Sequence, residues 1–243
     1  MGFFKRFRDA KRPFCTALVA AAGRSTSMGG GVSKLLLPLE GIPVLVRTLD
    51  ALQRAERVDE IIVATREEEL VEIAQLCHTY GISKCKKVIR GGESRTHSVM
   101  LAALEADKSM ELLAVQDGAR PLVTPALIDS VIAAASRCGA AAPAVPVKDT
   151  IKCVREDGAV ERTLDRSTLR AVQTPQVFTA DLLKAALQSV LEKGGEVTDD
   201  CGAVELLGKA VYLTEGEETN LKITTPGDLV LAEAILKDRE ERA

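Results

Sequence analysis

The feature that most constrains the fold of this chain is a regular alternation of short β-branched runs with longer amphipathic segments. Strands are predicted where the runs lie, at 16–20, 60–65, 86–90, 111–117 and 140–147. Between them, apolar residues recur with a helical period, at 43–55, 67–81, 94–106 and 124–139. Such alternation predicts an α/β fold with a doubly wound, mostly parallel (Rossmann-like) sheet and right-handed crossovers.

Residues 148–172 break this alternation. The segment alternates apolar with polar residues and contains Asp157-Gly158, a dipeptide typical of a hairpin turn. Because both flanks are polar, we expect a β-hairpin that projects from the body as an arm. Beyond it the sequence predicts a helix at 179–193, a helix at 198–208, a strand at 209–216 and a last helix from Pro226.

The composition is that of one globular domain without a broad charged face. The chain has 243 residues, of which 46% are apolar, and its formal net charge is −3. We therefore expect a single domain over 15–243, preceded by a flexible basic extension over 1–14. The net acidity argues against nucleic acid as a partner, so an anion site must be a local concentration of Lys and Arg.

Several features predict a cytoplasmic protein without stable membrane association. No apolar run approaches the roughly 20 residues that a membrane span needs. Residues 1–14 lack the apolar centre of a secretory signal. The six cysteines form no C-x-x-C pair and only two histidines occur, which argues against a structural zinc site and favours reduced thiols.

The strand-to-helix junctions are the candidate sites, because ligands of open parallel sheets bind at the carboxyl ends of the strands. The first junction, residues 21–34, contains four glycines and four hydroxyl side chains and ends at Lys34. Its backbone amides are suited to close approach by phosphate oxygens. It matches neither the dinucleotide-binding pattern nor the P-loop, and a flexible surface loop is the alternative interpretation.

Three further junctions carry similar chemistry, each with a structural alternative. Residues 91–98 bring two glycines and hydroxyl donors suited to a base or ribose, although a capped helix has the same pattern. Asp117 directly follows an apolar strand, where a carboxylate can hold a metal ion between phosphates, although Asp-Gly turns are common. Lys222 and Thr224 precede a helix N-terminus that attracts anions, although a Thr-capped junction explains them equally.

Together the junctions place a group of cations around one sheet edge of an acidic protein, namely Arg24, Lys34, Arg95, Arg120 and Lys222. This concentration predicts a polyanionic small-molecule ligand, such as a nucleoside triphosphate together with a phosphorylated second substrate.

These junction sequences occur in the order found in a known enzyme family. Between residues 17 and 229 the chain contains ALVAAAG, SMGG, SK, GGESRTHSV, DGARP, PVKDTIK, DR, TPQVF, TDD and NLKITTPGDL. The set resembles the 2-C-methyl-D-erythritol 4-phosphate cytidylyltransferases of the non-mevalonate isoprenoid pathway. Ribitol-5-phosphate cytidylyltransferases share most of the same motifs.

The resemblance implies a homodimer whose hairpin arms interlock. It also implies a reaction that joins the phosphate of methylerythritol phosphate to the α-phosphorus of CTP. The expected products are 4-diphosphocytidyl-2-C-methyl-D-erythritol and pyrophosphate, and the expected cofactor is Mg²⁺.

The matching motifs also imply roles for individual residues. Implied contacts with the nucleotide fall to Ala21, Ala22, Gly23, Gly92, Glu93, Ser98 and Gly118. The resemblance implies that the polyol phosphate is held by Arg120, Thr198, Lys222 and Thr224. It also implies that the arm of each subunit brings Thr150, Asp165 and Arg166 to the site of its partner. Lys34 would contact the triphosphate, and Asp117 would lie near both substrates and hold the metal.

One position departs from the family pattern. The family usually carries an arginine immediately before the methionine of its glycine loop, and this chain has Ser27 before Met28. Arg24, three residues earlier, is the only guanidinium in the loop, and we expect it to supply the catalytic charge instead. Ser27 also keeps open a non-catalytic nucleotide-binding regulatory module, beside the ribitol-5-phosphate cytidylyltransferase alternative.

The substitution Arg24→Ala is expected to lower turnover by about 10²-fold or more, as for the loss of a cation that stabilises a transition state. Ser27→Arg in that background should restore part of the loss, because it returns a charge to the usual family position. Steady-state kinetics on the two variants measures both effects. Near-wild-type turnover of Arg24→Ala would show that Arg24 is a solvated loop residue.

Overall fold

The computed structural model describes residues 12–23, 33–195 and 197–242. Its strands are β1 (Cys15–Ala20), β2 (Pro38–Leu39), β3 (Ile42–Pro43), β4 (Glu60–Thr65), β5 (Cys85–Arg90), β6 (Leu112–Asp117), β7 (Ala140–Pro146), β8 (Lys152–Val154), β9 (Val160–Thr163), β10 (Arg170–Val172), β11 (Gln176–Thr179) and β12 (Tyr212–Glu215). Its helices are α1 (Val44–Arg54), α2 (Leu70–Thr79), α3 (Arg95–Glu105), α4 (Pro125–Cys138), α5 (Ala180–Glu192), α6 (Asp200–Leu206) and α7 (Pro226–Glu241).

The central sheet has eight strands in the order β10-β7-β11-β6-β1-β4-β5, with β12 also paired to β7. The pairs β1–β6, β1–β4, β4–β5 and β7–β12 are parallel, which confirms the predicted sheet type. β11 lies antiparallel between β6 and β7. It was not predicted from the sequence, because its four residues are too few to show strand alternation and they lead directly into α5.

Two apolar layers cover the two faces of the sheet, as a doubly wound fold requires. Alternate strand residues serve alternate layers: Ala17 and Val19 pack with α1, α2, α4 and α7, whereas Leu18 packs with α3, α5 and α6. This arrangement buries both faces of β1, β4 and β6, whose carboxyl ends remain open at one edge. The functional groups lie at that edge.

A β-hairpin lies within the segment predicted to form the arm, and it is shorter than that segment. β8 and β9 form a separate two-stranded ladder, and the Gly158 amide donates to the Arg155 carbonyl across the turn at 2.9 Å. Gly158 has a φ of +83°, which favours glycine there. The expected bound at residue 172 is wrong, because Arg170–Val172 pairs with β7 in the central sheet. Alternating polarity alone does not distinguish which sheet a strand joins.

The expected N-terminal extension is described only from Arg12 onward. Residues 1–11 of the expected 1–14 extension lie outside the described residues. Arg12 already contacts the domain, with Nη1 and Nη2 donating to the Asp59 carboxylate at 2.9 and 2.6 Å. Among the described helices, none combines the length and the apolar character needed to cross a membrane.

Candidate active site

A large cavity of about 1080 Å³ opens at the carboxyl edge of the sheet, and we call it the sheet-edge cavity. Its walls come from the segments that follow β1, β4, β5 and β6 and from the loop before α7. Many of the residues expected at the site line it, namely Ala21, Ala22, Gly23, Lys34, Gly92, Glu93, Ser98, Asp117, Gly118 and Lys222. The topology brings these residues together from four separate parts of the chain.

The glycines of the 91–98 segment are required by close packing. A Cβ on Gly91 would stand 2.6 Å from the Ala22 Cβ, and one on Gly92 would stand 2.3 Å from the His97 Cγ. The Ser98 hydroxyl accepts from the Gly92 amide at 3.0 Å and contacts the Ser94 carbonyl at 2.8 Å. Ser98 therefore holds the shape of this turn, beside any contact it makes with a ligand.

Asp117 is the electrostatic centre of the cavity. Its carboxylate is bordered by three cations: Lys222 Nζ is 2.9 Å from Oδ2, Arg120 Nε is 3.7 Å from Oδ2, and Arg95 Nη2 is 3.5 Å from Oδ1. Burial by itself raises the pKa of Asp117, but the adjacent Lys222 and Arg95 outweigh it and lower this pKa below its usual value. Asp117 is therefore ionised at neutral pH.

Positive charge exceeds what Asp117 can neutralise. Burial, followed by the neighbouring Lys222 ammonium, lowers the pKa of Lys34, whereas Asp117 and Asp228 act in the opposite direction. Lys34 and Lys222 thus face the same cavity and repel each other. An anionic ligand between them would relieve this repulsion.

A buried carboxylate behind the cavity was not assigned to the site from the sequence. Asp200 is 1% exposed, and its Oδ2 lies 2.7 Å from Arg95 Nη1. Burial raises the pKa of Asp200, although Arg95 partly offsets the rise. The only signal in the sequence was the TDD motif, of which Thr198 alone received a role.

Some expected residues stand apart from the cavity lining. Arg120 reaches Asp117, but its Nη1 donates to the Asn220 carbonyl at 2.6 Å. Thr198 is exposed and does not line the cavity. The Thr224 amide and hydroxyl both bond to Asp228 Oδ2, at 2.7 and 2.8 Å.

The arm residues do not reach the cavity of their own chain. Thr150, Asp165 and Arg166 are all exposed and absent from its lining. The Asp165 carboxylate accepts from the Ser167 amide at 3.0 Å, and Arg166 Nη1 donates to the Lys148 carbonyl at 2.6 Å. Their expected role in the site of a partner therefore remains a prediction.

Further lining residues were missed from the sequence, and one predicted site residue cannot be placed. The missed residues end or follow β4, end β5 or lie on α3, and they are Thr65, Arg66, Glu67, Glu68, Arg90, His97 and Leu101. The same strand-end rule that found Asp117 would have found the residues after β4. Arg24 and Ser27 lie outside the described residues.

The donor set of the cavity limits how a metal ion could be held. Among the described residues, no group of three or more His, Cys, Asp or Glu side chains is arranged to hold a metal. Asp117 lines the cavity with its carboxylate close to three cations, whereas the other lining carboxylates, Glu67, Glu68 and Glu93, form no group with it that could hold a metal. Such a site fits a cation like Mg²⁺, which is often held by one or two carboxylates plus substrate phosphates, and not a closed protein cage.

The sheet-edge cavity combines glycine turns, two lysines and an ionised carboxylate at the carboxyl edge of a doubly wound sheet. These features define a nucleotide-handling α/β enzyme. The family model for 2-C-methyl-D-erythritol 4-phosphate cytidylyltransferase matches residues 15–238. The chain belongs to this family, whose members are CTP-dependent nucleotidyltransferases. The predicted resemblance is therefore confirmed.

Individual relatives agree along nearly their full length. A 2-C-methyl-D-erythritol 4-phosphate cytidylyltransferase from Bacillus cytotoxicus is 45% identical over 221 residues, covering 91% of this chain and 97% of the relative. The solved 4-diphosphocytidyl-2C-methyl-D-erythritol synthase from Anaerococcus prevotii superposes with a TM-score of 0.82 at 30% identity, covering 93% of this chain and 99% of that one. The Thermus thermophilus cytidylyltransferase gives 0.74 at 35% identity, with coverage of 91% and 98%.

Proposed function

We propose that the protein joins CTP to 2-C-methyl-D-erythritol 4-phosphate, releasing pyrophosphate and giving 4-diphosphocytidyl-2-C-methyl-D-erythritol. A phosphate oxygen of the polyol forms a bond to the α-phosphorus of CTP, and the bond from that phosphorus to the β-phosphate oxygen breaks. The observation that carries this proposal is the group of cations around Asp117 in a glycine-lined cavity. Family membership supplies the identity of the two substrates.

The chemistry asks for fixed charge more than for a proton acceptor. The attacking phosphate is already anionic at neutral pH, so no strong general base is required. Two anions must instead be brought together while charge builds on the α-phosphoryl oxygens. Asp117, with a lowered pKa and cations on both carboxylate oxygens, is suited to holding those cations and not to taking a proton.

The nucleotide is proposed to lie along the two glycine segments. The residues expected to contact it all line the sheet-edge cavity, namely Ala21, Ala22, Gly23, Gly92, Glu93, Ser98 and Gly118. Lys34 lines the same cavity and would contact the triphosphate. Arg24 is proposed to supply a second triphosphate cation.

The polyol phosphate is proposed to bind on the side of Lys222. Arg120 and Lys222 both border Asp117 there, and Thr224 follows Lys222 by two residues. Thr198 and the partner's arm would complete this subsite. Placing both phosphates beside one cluster of cations brings nucleophile and α-phosphorus together.

Mg²⁺ is the proposed cofactor, held by Asp117 together with phosphate oxygens of the nucleotide. When bound, it would neutralise triphosphate charge and orient the α-phosphoryl group. The Asp117 side chain is 11% exposed, and the exposed part faces the cavity. Lys222 and Arg120 border Oδ2, at 2.9 and 3.7 Å, and Arg95 lies 3.5 Å from Oδ1.

We further propose a homodimer in the cytoplasm, with no nucleic-acid partner. The support for the dimer is the polar hairpin, because Thr150, Asp165 and Arg166 beside it are exposed and are absent from the described lining of the sheet-edge cavity. The six cysteines are free thiols, as is usual in a reducing compartment.

Pyrophosphate release with CTP, Mg²⁺ and each polyol phosphate tests the function. We expect turnover with methylerythritol phosphate at a kcat/KM at least about 10-fold above that with ribitol 5-phosphate, the difference that about 1.4 kcal/mol of transition-state binding produces. The reverse preference would establish the ribitol enzyme. Nucleotide binding without turnover of either would establish the regulatory module.

In the same assay, Lys34→Ala is expected to lower kcat/KM by about 10²–10³-fold, because it removes a cation that is expected to contact the triphosphate. Lys193→Ala, at the exposed C-terminal end of α5, is the matched control and should be unchanged. Thermal unfolding of both variants checks that the fold is kept. If Lys34→Ala retained more than about half of the wild-type value, its assigned role would be wrong.

The arm proposal is tested by mixing Arg166→Ala subunits with Lys34→Ala subunits. If Arg166 serves the neighbouring site, each mixed dimer regains one intact site and gathers both defects in the other, so activity recovers. Separately tagged subunits allow the mixed dimers to be purified before assay. Absence of recovery in purified mixed dimers would exclude action across the dimer.

A further inference from the structure

We propose that Asp200 is a positioning residue that fixes Arg95 and, through it, the orientation of the Asp117 carboxylate. The inference rests on the proposed function in one respect, the role of Asp117 beside the nucleotide and its metal ion. The family motifs assign no role to Asp200.

Asp200 is a buried carboxyl group, and its ion pair among the described residues is with Arg95. It is 1% exposed, and Arg95 Nη1 forms an ion pair with its Oδ2 at 2.7 Å, while Oδ2 accepts no hydrogen bond from the described residues. The backbone around it is clamped as well, because Gln176 Oε1 accepts from the amides of Asp200 and Cys201 at 2.9 and 3.0 Å. The position of this carboxylate is therefore set by the central sheet, since Gln176 begins β11.

Stability alone does not explain the pair. Buried ion pairs are often matched or exceeded in stability by apolar side chains of similar volume. Arg95 is also the first residue of α3, and a cation at a helix N-terminus opposes the helix dipole. Both terms are costs, and they favour a role for Arg95 at this point in space.

The geometry shows what that role is. A guanidinium is a rigid planar fork, so fixing Nη1 on Asp200 also fixes where Nη2 lies. Nη2 stands 3.5 Å from Asp117 Oδ1, close enough for attraction but too long for a strong hydrogen bond. Asp200 thereby holds Arg95 back, so that Oδ1 is oriented while remaining available to a further partner.

Without the Asp200 charge, Arg95 has one carboxylate left within reach. It should then close onto Asp117 and occupy Oδ1 with a short charge-assisted hydrogen bond. The expected consequence is weaker metal binding by the nucleotide complex and slower turnover, with little change in the binding of CTP itself. Substitutions of residues that orient a metal ligand typically cost about 10–100-fold.

The test is a double-mutant cycle on Asp200→Asn and Arg95→Gln, with Glu205→Gln on the exposed side of α6 as the control. Asp200→Asn should lower kcat by about 30-fold, with the KM for CTP within about threefold of wild type. Adding Asp200→Asn to Arg95→Gln should change kcat by less than about threefold, because the residue through which Asp200 acts is already gone. Glu205→Gln should match wild type.

A second readout does not depend on turnover. Binding of Mn²⁺ in the presence of CTP, followed by electron paramagnetic resonance, should weaken by about 10-fold in Asp200→Asn and not in the Glu205→Gln control. Absence of turnover in the wild-type protein would overturn the proposed function, whereas the comparison of Mn²⁺ binding between variants would still decide the role of Asp200.

The inference is overturned if Asp200→Asn has wild-type kcat and Mn²⁺ binding, or if it lowers kcat by its full factor in the Arg95→Gln background. Should Asp200→Asn alone not fold, the double variant removes both buried charges and carries the test. Equal kcat of Arg95→Gln and the double variant then supports the inference, and a further drop of about 10-fold or more overturns it.

Discussion

The arrangement on which this site depends is one ionised carboxylate, Asp117, shared among cations from three separate elements. Lys222 comes from the loop before α7, Arg95 from the start of α3, and Arg120 from the turn after β6. Each cation would be costly to bring close to the others without the central negative charge. Asp117 therefore allows an excess of positive charge to be assembled in a mostly buried place before any anionic substrate arrives, which is electrostatic preorganisation.

The cluster is held in place by the residues just before β11, a strand that lies antiparallel in the central sheet. Just before β11, the Thr174 hydroxyl accepts from the Asp117 amide at 3.1 Å, and the Thr174 carbonyl accepts from Asn220 Nδ2 at 3.0 Å. Asn220 is fully buried, and its own carbonyl accepts from Arg120. A short segment thus ties Asp117, Arg120 and the loop that carries Lys222 into one polar network.

Much of the fold was predictable because β1, β4 and β6 are buried on both faces and are therefore almost continuous apolar runs. β1, β4 and β6 were found within a residue of their bounds for this reason, and the strand-end rule then placed Asp117 and Gly92 correctly at one edge. β11 escaped prediction because four residues carry too little pattern. The upper bound of the arm was wrong because β10 alternates like the hairpin it follows but pairs with β7.

Within the site, residues in motifs next to strand ends were predictable, whereas residues that lie behind the cavity lining were not. Asp200 makes no contact with the cavity and is recognised only by the distance to Arg95 that the fold creates. Arg66 lines the cavity after β4, where its local sequence resembles the start of an ordinary acidic helix. Hydrogen bonds between residues a hundred positions apart, such as that from Arg120 to the Asn220 carbonyl, leave no local trace in the sequence.

The central claim is that Asp117 neutralises a preassembled group of cations. The most direct test is to measure how tightly the Asp117→Asn variant binds inorganic pyrophosphate in the absence of metal. Calorimetry on the folded variant and on the wild-type protein gives the two dissociation constants. The account predicts binding at least about fivefold tighter in the variant, roughly 1 kcal/mol, because Lys222, Arg95 and Arg120 lose their internal anion. Equal or weaker binding would show that these cations do not face the ligand, and would contradict the account.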